Sequence, residues 1–262
     1  MPINIKSEFE TEGYIKCINV LDQEESRSLQ DDFNSLEKES GKHASQYSFH
    51  NIHMTQQWVF QIATHSNILD PVKDILGPNI ILLDSRFICK YPVSEMQAEN
   101  DEKAYVAWHQ DMRYWGIEGT VVTAWLAVDD ADVENGCMQV IPGTHKLGLV
   151  EHESASTAGN LLSANQSIPN EYIEESRSVP CPVKAGQASL HDGFLIHGSG
   201  PNTSSRRRCG YVIRYVSTSA KPIEDPDKPR SFPCTQLVCG EDCFKHFPVN
   251  KPEWHHNHLK VE

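Results

Sequence analysis

Apolar and polar positions change their rhythm near residue 80. Before it, apolar residues recur at helical spacing. Asp22 followed by Glu25 has the spacing of a capping box, and Leu29, Phe33 and Leu36 then fall on one face, which predicts a helix over about 23–38. A second helical stretch runs through Trp58, Val59 and Ile62, and a third through Ile68, Val72, Ile75 and Leu76 until Gly77-Pro78 stops it. Beyond Ile80 the chain breaks into short β-rich runs separated by Gly, Pro and Asn, at 80–90, 105–109, 120–128, 138–141, 188–191, 194–197 and 208–216. Asn135-Gly136 is a strong turn signal, because Asn-Gly readily adopts positive φ. Many short strands joined by turns predict a barrel or jelly roll. Residues 150–178, polar and rich in Ser, Asn and Glu, read as a long surface excursion. No repeat or domain boundary is visible. The 262 residues are expected to form a single domain, with helices to about 79, a β core over about 80–217 and an extension over about 218–262.

Composition narrows the class. Hydrophobic residues make up 39% of the chain, enough for a core, and no apolar run approaches a membrane span. A net charge of −13 argues against nucleic acid or an anionic membrane as partner. On so acidic a chain, the cluster Arg206-Arg207-Arg208 stands out. The eight cysteines lie mostly inside apolar stretches, at spacings too irregular for a zinc knuckle, and read as free thiols. Met1 to Glu8 lacks the basic start and apolar stretch of a secretory signal, and Lys260-Val261-Glu262 is not a peroxisomal tripeptide, so the cytoplasm is the expected compartment.

The candidate chemistry lies in Trp108-His109-Gln110-Asp111 and in His197-Gly198-Ser199-Gly200-Pro201. His109 and Asp111 are two apart, so on an extended strand they project from one face. His197, arriving from a distant strand, would complete two imidazoles and a carboxylate around a metal. That set leaves three coordination positions open, as non-haem Fe(II) oxygenases require. In a chain with 13 histidines a lone His-x-Asp is weak evidence. The strand setting of the pair, the turn after His197 and the basic strand beyond it strengthen it. In that strand Arg208 suits a carboxylate, since a planar guanidinium makes two parallel charge-assisted bonds. Arg206 shares its face and is the alternative, whereas Arg207 points away and reads as a solvated edge. His191 is expected to be kept off the site by a strand break at Asp192-Gly193. His255, His256 and His258 fall in a polar tail with no function expected, and His145 in a loop.

The segments Phe87 to Pro92, Trp108 to Asp111, Thr123-Ala124-Trp125, Asn135 to His145 and His197 to Asn202, with Arg208, resemble the phytanoyl-CoA dioxygenase family of Fe(II)/2-oxoglutarate oxygenases over about residues 9–217. The resemblance implies a mainly β fold with flanking helices around a double-stranded β-helix, a cupin-like jelly roll. It implies that His109, Asp111 and His197 bind Fe(II) and form the catalytic centre. Arg208 would hold the distal carboxylate of 2-oxoglutarate, with Ser199, Lys90 and Trp125 as neighbours. The implied reaction consumes O2 and 2-oxoglutarate and releases succinate and CO2. The carboxylate of Asp111 favours hydroxylation over halogenation, and Asp111→Ala is expected to abolish it while leaving the fold intact.

Met112, Arg113, Tyr114 and Trp115 follow the ligand pair and are candidates for the substrate pocket; Tyr114 and Trp115 are equally suited to the core. The expected substrate is a small polar metabolite, aminoalkylphosphonate-like or amino-acid-like, since nothing in the chain points to a coenzyme A site. Two rivals stand beside this: a catalytically silent binding member of the fold, and a cupin-like metalloprotein that does not use 2-oxoglutarate.

Overall fold

A computed structural model of the chain describes residues 4–92, 104–224 and 230–254. The N-terminal third contains α1 (Ile5–Glu12), β1 (Tyr14–Asn19), α2 (Gln23–Ser40), α3 (Lys42–Tyr47), α4 (Gln57–Ala63) and α5 (Ser66–Leu76). There follow β2 (Ile80–Lys90), β3 (Val106–His109), the single turn α6 (Met112–Trp115), β4 (Ile117–Glu118), β5 (Val121–Ala127) and β6 (Met138–Val140). The short strands β7 (Glu153–Ser154), β8 (Gln166–Ser167) and β9 (Val179–Cys181) precede β10 (Gln187–Asp192) and β11 (His197–Ser199). The chain continues through β12 (Arg208–Ser217), β13 (Lys221–Pro222) and β14 (Gln236–Cys239).

The expected capping box opens α2. The Asp22 carboxylate accepts from the backbone N–H of Glu24 and Glu25, and Glu25 accepts from the N–H of Asp22. Leu29 and Phe33 on its buried face reach the outer side of a six-stranded antiparallel sheet, ordered β1-β10-β5-β12-β2-β14. Phe33 meets Phe87, and Phe87 stacks on Tyr211 with centroids 4.5 Å apart. A four-stranded sheet, β3-β11-β6-β9, forms the second half of the jelly roll. All pairings within both sheets are antiparallel.

Three expectations about the elements need correction. The first 79 residues are not only helical, because β1 forms an edge of the large sheet beside β10. The extension after 217 contributes β14 at the other edge, and its Phe232 and Phe247 pack with Ile81, Leu83 and Val216. The run 194–197 is not a strand ending at His197. A turn closed by Phe194 N–H donating to the Asp192 carboxylate comes first, and His197 opens β11 instead. Residues 150–178 are mainly loop, with the β7–β8 ribbon inside.

One irregularity in β2 sets the polarity of the site. Ile80 and Leu82 face the helices, whereas Ile81 and Leu83 face the other side. A register shift between β12 and β2 at Arg214/Tyr215 then reverses the alternation. Beyond it Asp84, Arg86 and Ile88 line the space between the sheets, while Phe87 and Cys89 pack under the helices.

All eight cysteines are free thiols. Among the described residues, no helix is long and apolar enough to cross a membrane.

Candidate metal centre and its cavity

His109, Asp111 and His197 converge. Their donor atoms lie within 4.8 Å of one another, and all three residues are buried. The route differs from simple strand alternation. β3 ends at His109, and Asp111 has helical backbone angles at the entrance to α6, so a turn, not the pleat, brings the carboxylate round. Gln110, between the two, fixes that turn. Its amide donates to Gly148 O and Phe194 O, and its carbonyl accepts from Val150 N–H. Met112 N–H donates to Gly193 O, tying the turn to the crossover that delivers His197.

Both histidines are held in the tautomer a metal needs. Nδ1 of His109 lies 2.9 Å from Ala107 O, and Nδ1 of His197 lies 2.9 Å from Leu195 O. A carbonyl can only accept, so each Nδ1 carries the proton and each Nε2 presents a lone pair to the shared centre. Burial pushes the His197 imidazole well below its ordinary pKa, with His109 and His191 adding to the effect. Burial is the largest single influence and works to raise the Asp111 carboxyl, but Arg214 and the nearby histidines together outweigh it and hold the group well below the usual carboxylate range. Neutral imidazoles and an ionised carboxylate are the protonation states that bind a divalent cation. The donor set fits a ferrous ion.

Arg214 was not foreseen. It clamps both Asp111 oxygens, with Nε to Oδ2 and Nη2 to Oδ1 each at 3.1 Å, and its Nη1 donates to Asp84 at 3.1 Å. The Thr123 hydroxyl adds a bond to Asp111 Oδ2 at 2.8 Å. Counting by twos from Arg208 along β12 reaches Arg214 on the same face, so a signal was available. His191 is a second correction. β10 runs unbroken to Asp192, so His191 faces inward opposite Thr123, its ring 4.3 Å from that of His197 and its Nε2 3.6 Å from Asp111 Oδ2. It is 1% exposed, and neither ring nitrogen has a hydrogen-bond partner.

Arg208 is 2% exposed and lines the same cavity, with its guanidinium over the Trp125 ring at 4.5 Å and its Nε without a partner. An unpartnered buried guanidinium at the wall of a cavity lined by both charged and apolar side chains fits the free carboxylate of 2-oxoglutarate. Ser199 also lines the cavity. Lys90 does not: its ammonium is enclosed by the Ser199 hydroxyl and the carbonyls of Gly136, Ser199 and Gly200, so it anchors those loops. Gly136 (φ 77°) permits this, because a Cβ there would meet Gly200 O at 2.5 Å.

The neighbouring arginines are placed elsewhere. Arg206 precedes β12 and forms an exposed ion pair with Asp132. Arg207 is not a solvated edge but is half-buried between Asp129 and Glu37. Of the candidates for substrate contact, Tyr114 and Trp115 line the cavity. Met112 instead packs in an apolar cluster with Ile81 and Val121, and Arg113 is exposed, because the single turn of α6 points successive side chains in different directions. His255, His256 and His258 lie outside the described residues. The cavity, about 160 Å³, also receives Leu162 and Ser163 from the polar segment 150–178 and His50 from the loop between α3 and α4.

Gly210 gives a local test. It sits between Arg208 and Val212 on the inward face, and a Cβ there would come within 2.0 Å of the Trp125 ring. Gly210→Ala must displace the indole on which Arg208 rests. We expect weaker 2-oxoglutarate binding and a stability loss of about 1–3 kcal/mol, the scale of core overpacking. Calorimetric titration and denaturant unfolding measure both; an unchanged 2-oxoglutarate affinity would remove Trp125 from the role.

A pH test follows from the buried imidazoles. His197, His50, His53 and His152 all have lowered pKa values, with burial the leading cause in each. Below about pH 6.5 the unfolded chain takes up protons that these folded-state rings resist, so stability falls with pH. His197 alone contributes up to about 1.4 kcal/mol per pH unit. Denaturation midpoints of the metal-free protein should drop between pH 7.5 and 5.5, and equal midpoints would refute the argument.

The sequence pattern of phytanoyl-CoA dioxygenase matches residues 9–210. A probable alpha-ketoglutarate-dependent hypophosphite dioxygenase of Stutzerimonas stutzeri is 27% identical over 174 residues, covering 66% of this chain and 58% of that protein. Phytanoyl-CoA dioxygenase domain-containing protein 1 of Bos taurus is 31% identical over 172 residues, covering 64% of this chain and 56% of that protein. The chain therefore spans little more than half the length of either. Among solved structures, the apo form of the non-heme monooxygenase ThoJ superposes with a TM-score of 0.76 at 25% identity, covering 95% of this chain and 88% of that one. Matched over most of its length, and with the quoted segments in order, the chain belongs to the phytanoyl-CoA dioxygenase family.

Proposed function

We propose that this protein is an Fe(II)- and 2-oxoglutarate-dependent dioxygenase that hydroxylates an aliphatic C–H bond of a small polar metabolite, releasing succinate and CO2. The observation that carries this is the pairing, in one cavity, of a three-donor cluster with a buried, unpartnered Arg208 guanidinium. A metalloprotein that did not use a dicarboxylate would have no reason to bury that charge uncompensated.

His109, Asp111 and His197 would hold the ferrous ion, and Arg208 over Trp125 the distal carboxylate of 2-oxoglutarate, with Ser199 beside it. When bound, the iron supplies dioxygen activation coupled to decarboxylation of the keto acid. The chain's own residues do the positioning. Arg214 and Thr123 hold the Asp111 carboxylate ionised and aligned, Ala107 and Leu195 carbonyls orient the imidazoles, and Trp115, Tyr114 and Leu162 help exclude water. The modest cavity suits a small substrate. An aminoalkylphosphonate-like or amino-acid-like compound agrees with the charged groups that stand among its apolar lining, and the bacterial relative named for hypophosphite acts, by its name, on a small phosphorus oxyanion.

Under anaerobic conditions the protein with Fe(II) and 2-oxoglutarate should develop a visible charge-transfer band. Metal binding without the band would favour a metalloprotein that does not use 2-oxoglutarate. No metal binding would leave a silent binding protein. Screening small phosphonates and amino acids for succinate release then identifies the substrate.

A further inference from the structure

Arg86 is the second buried guanidinium that no carboxylate pairs with among the described residues. It is 6% exposed and projects from β2 into the cavity. Its Nη2 donates to Leu161 O at 3.1 Å, its Nη1 reaches the Ser163 hydroxyl at 3.5 Å, and its Nε has no partner. Arg214, by contrast, has Asp84 and Asp111, and Arg207 has Asp129 and Glu37. Burial, with Arg214 nearby, lowers the Arg86 group to about 10, as expected for a cation without a counter-ion.

Arg86 stands away from the Arg208 end of the cavity: it pairs in register with Val212, whereas Arg208 pairs with Lys90, four residues along, roughly 13 Å at strand spacing. Two further donors line the cavity with it: Tyr114 Oη and Trp115 Nε1 are buried without a hydrogen-bond partner of normal geometry. Charge points the same way. A ferrous ion with Asp111, 2-oxoglutarate and Arg208 is neutral as a set, and Arg214 cancels Asp84. Arg86 then leaves one positive charge over, in a site shielded from water.

We propose that Arg86, with the Tyr114 hydroxyl and Trp115 indole N–H, forms a subsite that anchors an oxyanion of the substrate, a carboxylate or a phosphonate. The anchored group would leave the rest of the molecule facing the three-donor cluster. The subsite deepens the oxygenase reading and, in its catalytic sense, rests on it.

The test titrates methylphosphonate and butyrate, separately, into the anaerobic protein loaded with Fe(II) and saturating 2-oxoglutarate, using calorimetry and the charge-transfer band. At least one anion should bind and perturb the band; the tighter of the two identifies the headgroup class. Arg86→Gln should weaken that binding about tenfold or more while leaving 2-oxoglutarate affinity unchanged. Tyr114→Phe should weaken it less. Arg86→Gln also removes the donor to Leu161 O; a lower melting point together with unchanged anion binding would assign Arg86 a purely structural role and overturn the proposal. Binding of neither anion to the wild type, or equal binding to Arg86→Gln, also overturns it. Failure of the oxygenase reading is separately visible: the band is then absent, yet Arg86-dependent binding in an Arg208→Gln background of the metal-free protein still reports the subsite.

Discussion

Asp111→Ala should remove the proposed turnover and, contrary to the expectation from sequence, should also weaken the fold. Asp111 is 1% exposed and receives both Nε and Nη2 of Arg214. Its removal leaves a buried guanidinium short of one counter-ion, a change that costs about 3–5 kcal/mol when nothing compensates. Asp84 remains on Nη1, so we expect about 2–4 kcal/mol. Denaturant unfolding of the metal-free variant measures this cost apart from any loss of metal. Adding Arg214→Met should restore part of the stability and none of the turnover. A single variant as stable as the wild type would show that the Arg214 clamp contributes nothing to the fold.

Arg208→Lys should raise the Michaelis constant for 2-oxoglutarate by roughly 10–150-fold, corresponding to about 1.5–3 kcal/mol for a hydrogen bond to a charged group. The ammonium keeps the charge. It loses the planar two-point contact and the face-on packing at 4.5 Å against Trp125. Turnover at saturating 2-oxoglutarate should fall much less than the ratio of turnover to Michaelis constant. An unchanged constant would place the dicarboxylate elsewhere and remove the main support for the proposed reaction.

How far the sequence could be read depended on whether local alternation survived folding. The bounds of β2 were legible because an apolar run ends at clear turn signals, and α2 because Asp22 and Glu25 cap it. The convergence of His109, Asp111 and His197 was legible from motif and resemblance, although the turn at Gln110 that produces it was not. Asp84 and Arg86 were hidden for a specific reason. Counting by twos from Ile80 puts them on the helix-packed face, and only the register shift opposite Arg214/Tyr215 turns them into the cavity. His191 was misplaced because, although the break does fall at Asp192-Gly193, His191 precedes it within β10 and already faces the cavity. Met112 and Arg113 were misassigned because adjacency to the ligand pair says nothing of side-chain direction, and the helical turn that begins at Met112 points them away from the cavity.

The donors to the shared centre come from two separate layers. His109 and His197 sit opposite each other in the small sheet, while Asp111 is fastened by Arg214 and Thr123 to the large one. An ion held by all three would act as a rivet through a clamshell. Part of its binding energy would then go into keeping the halves shut, and chelation would loosen the whole shell besides emptying the site.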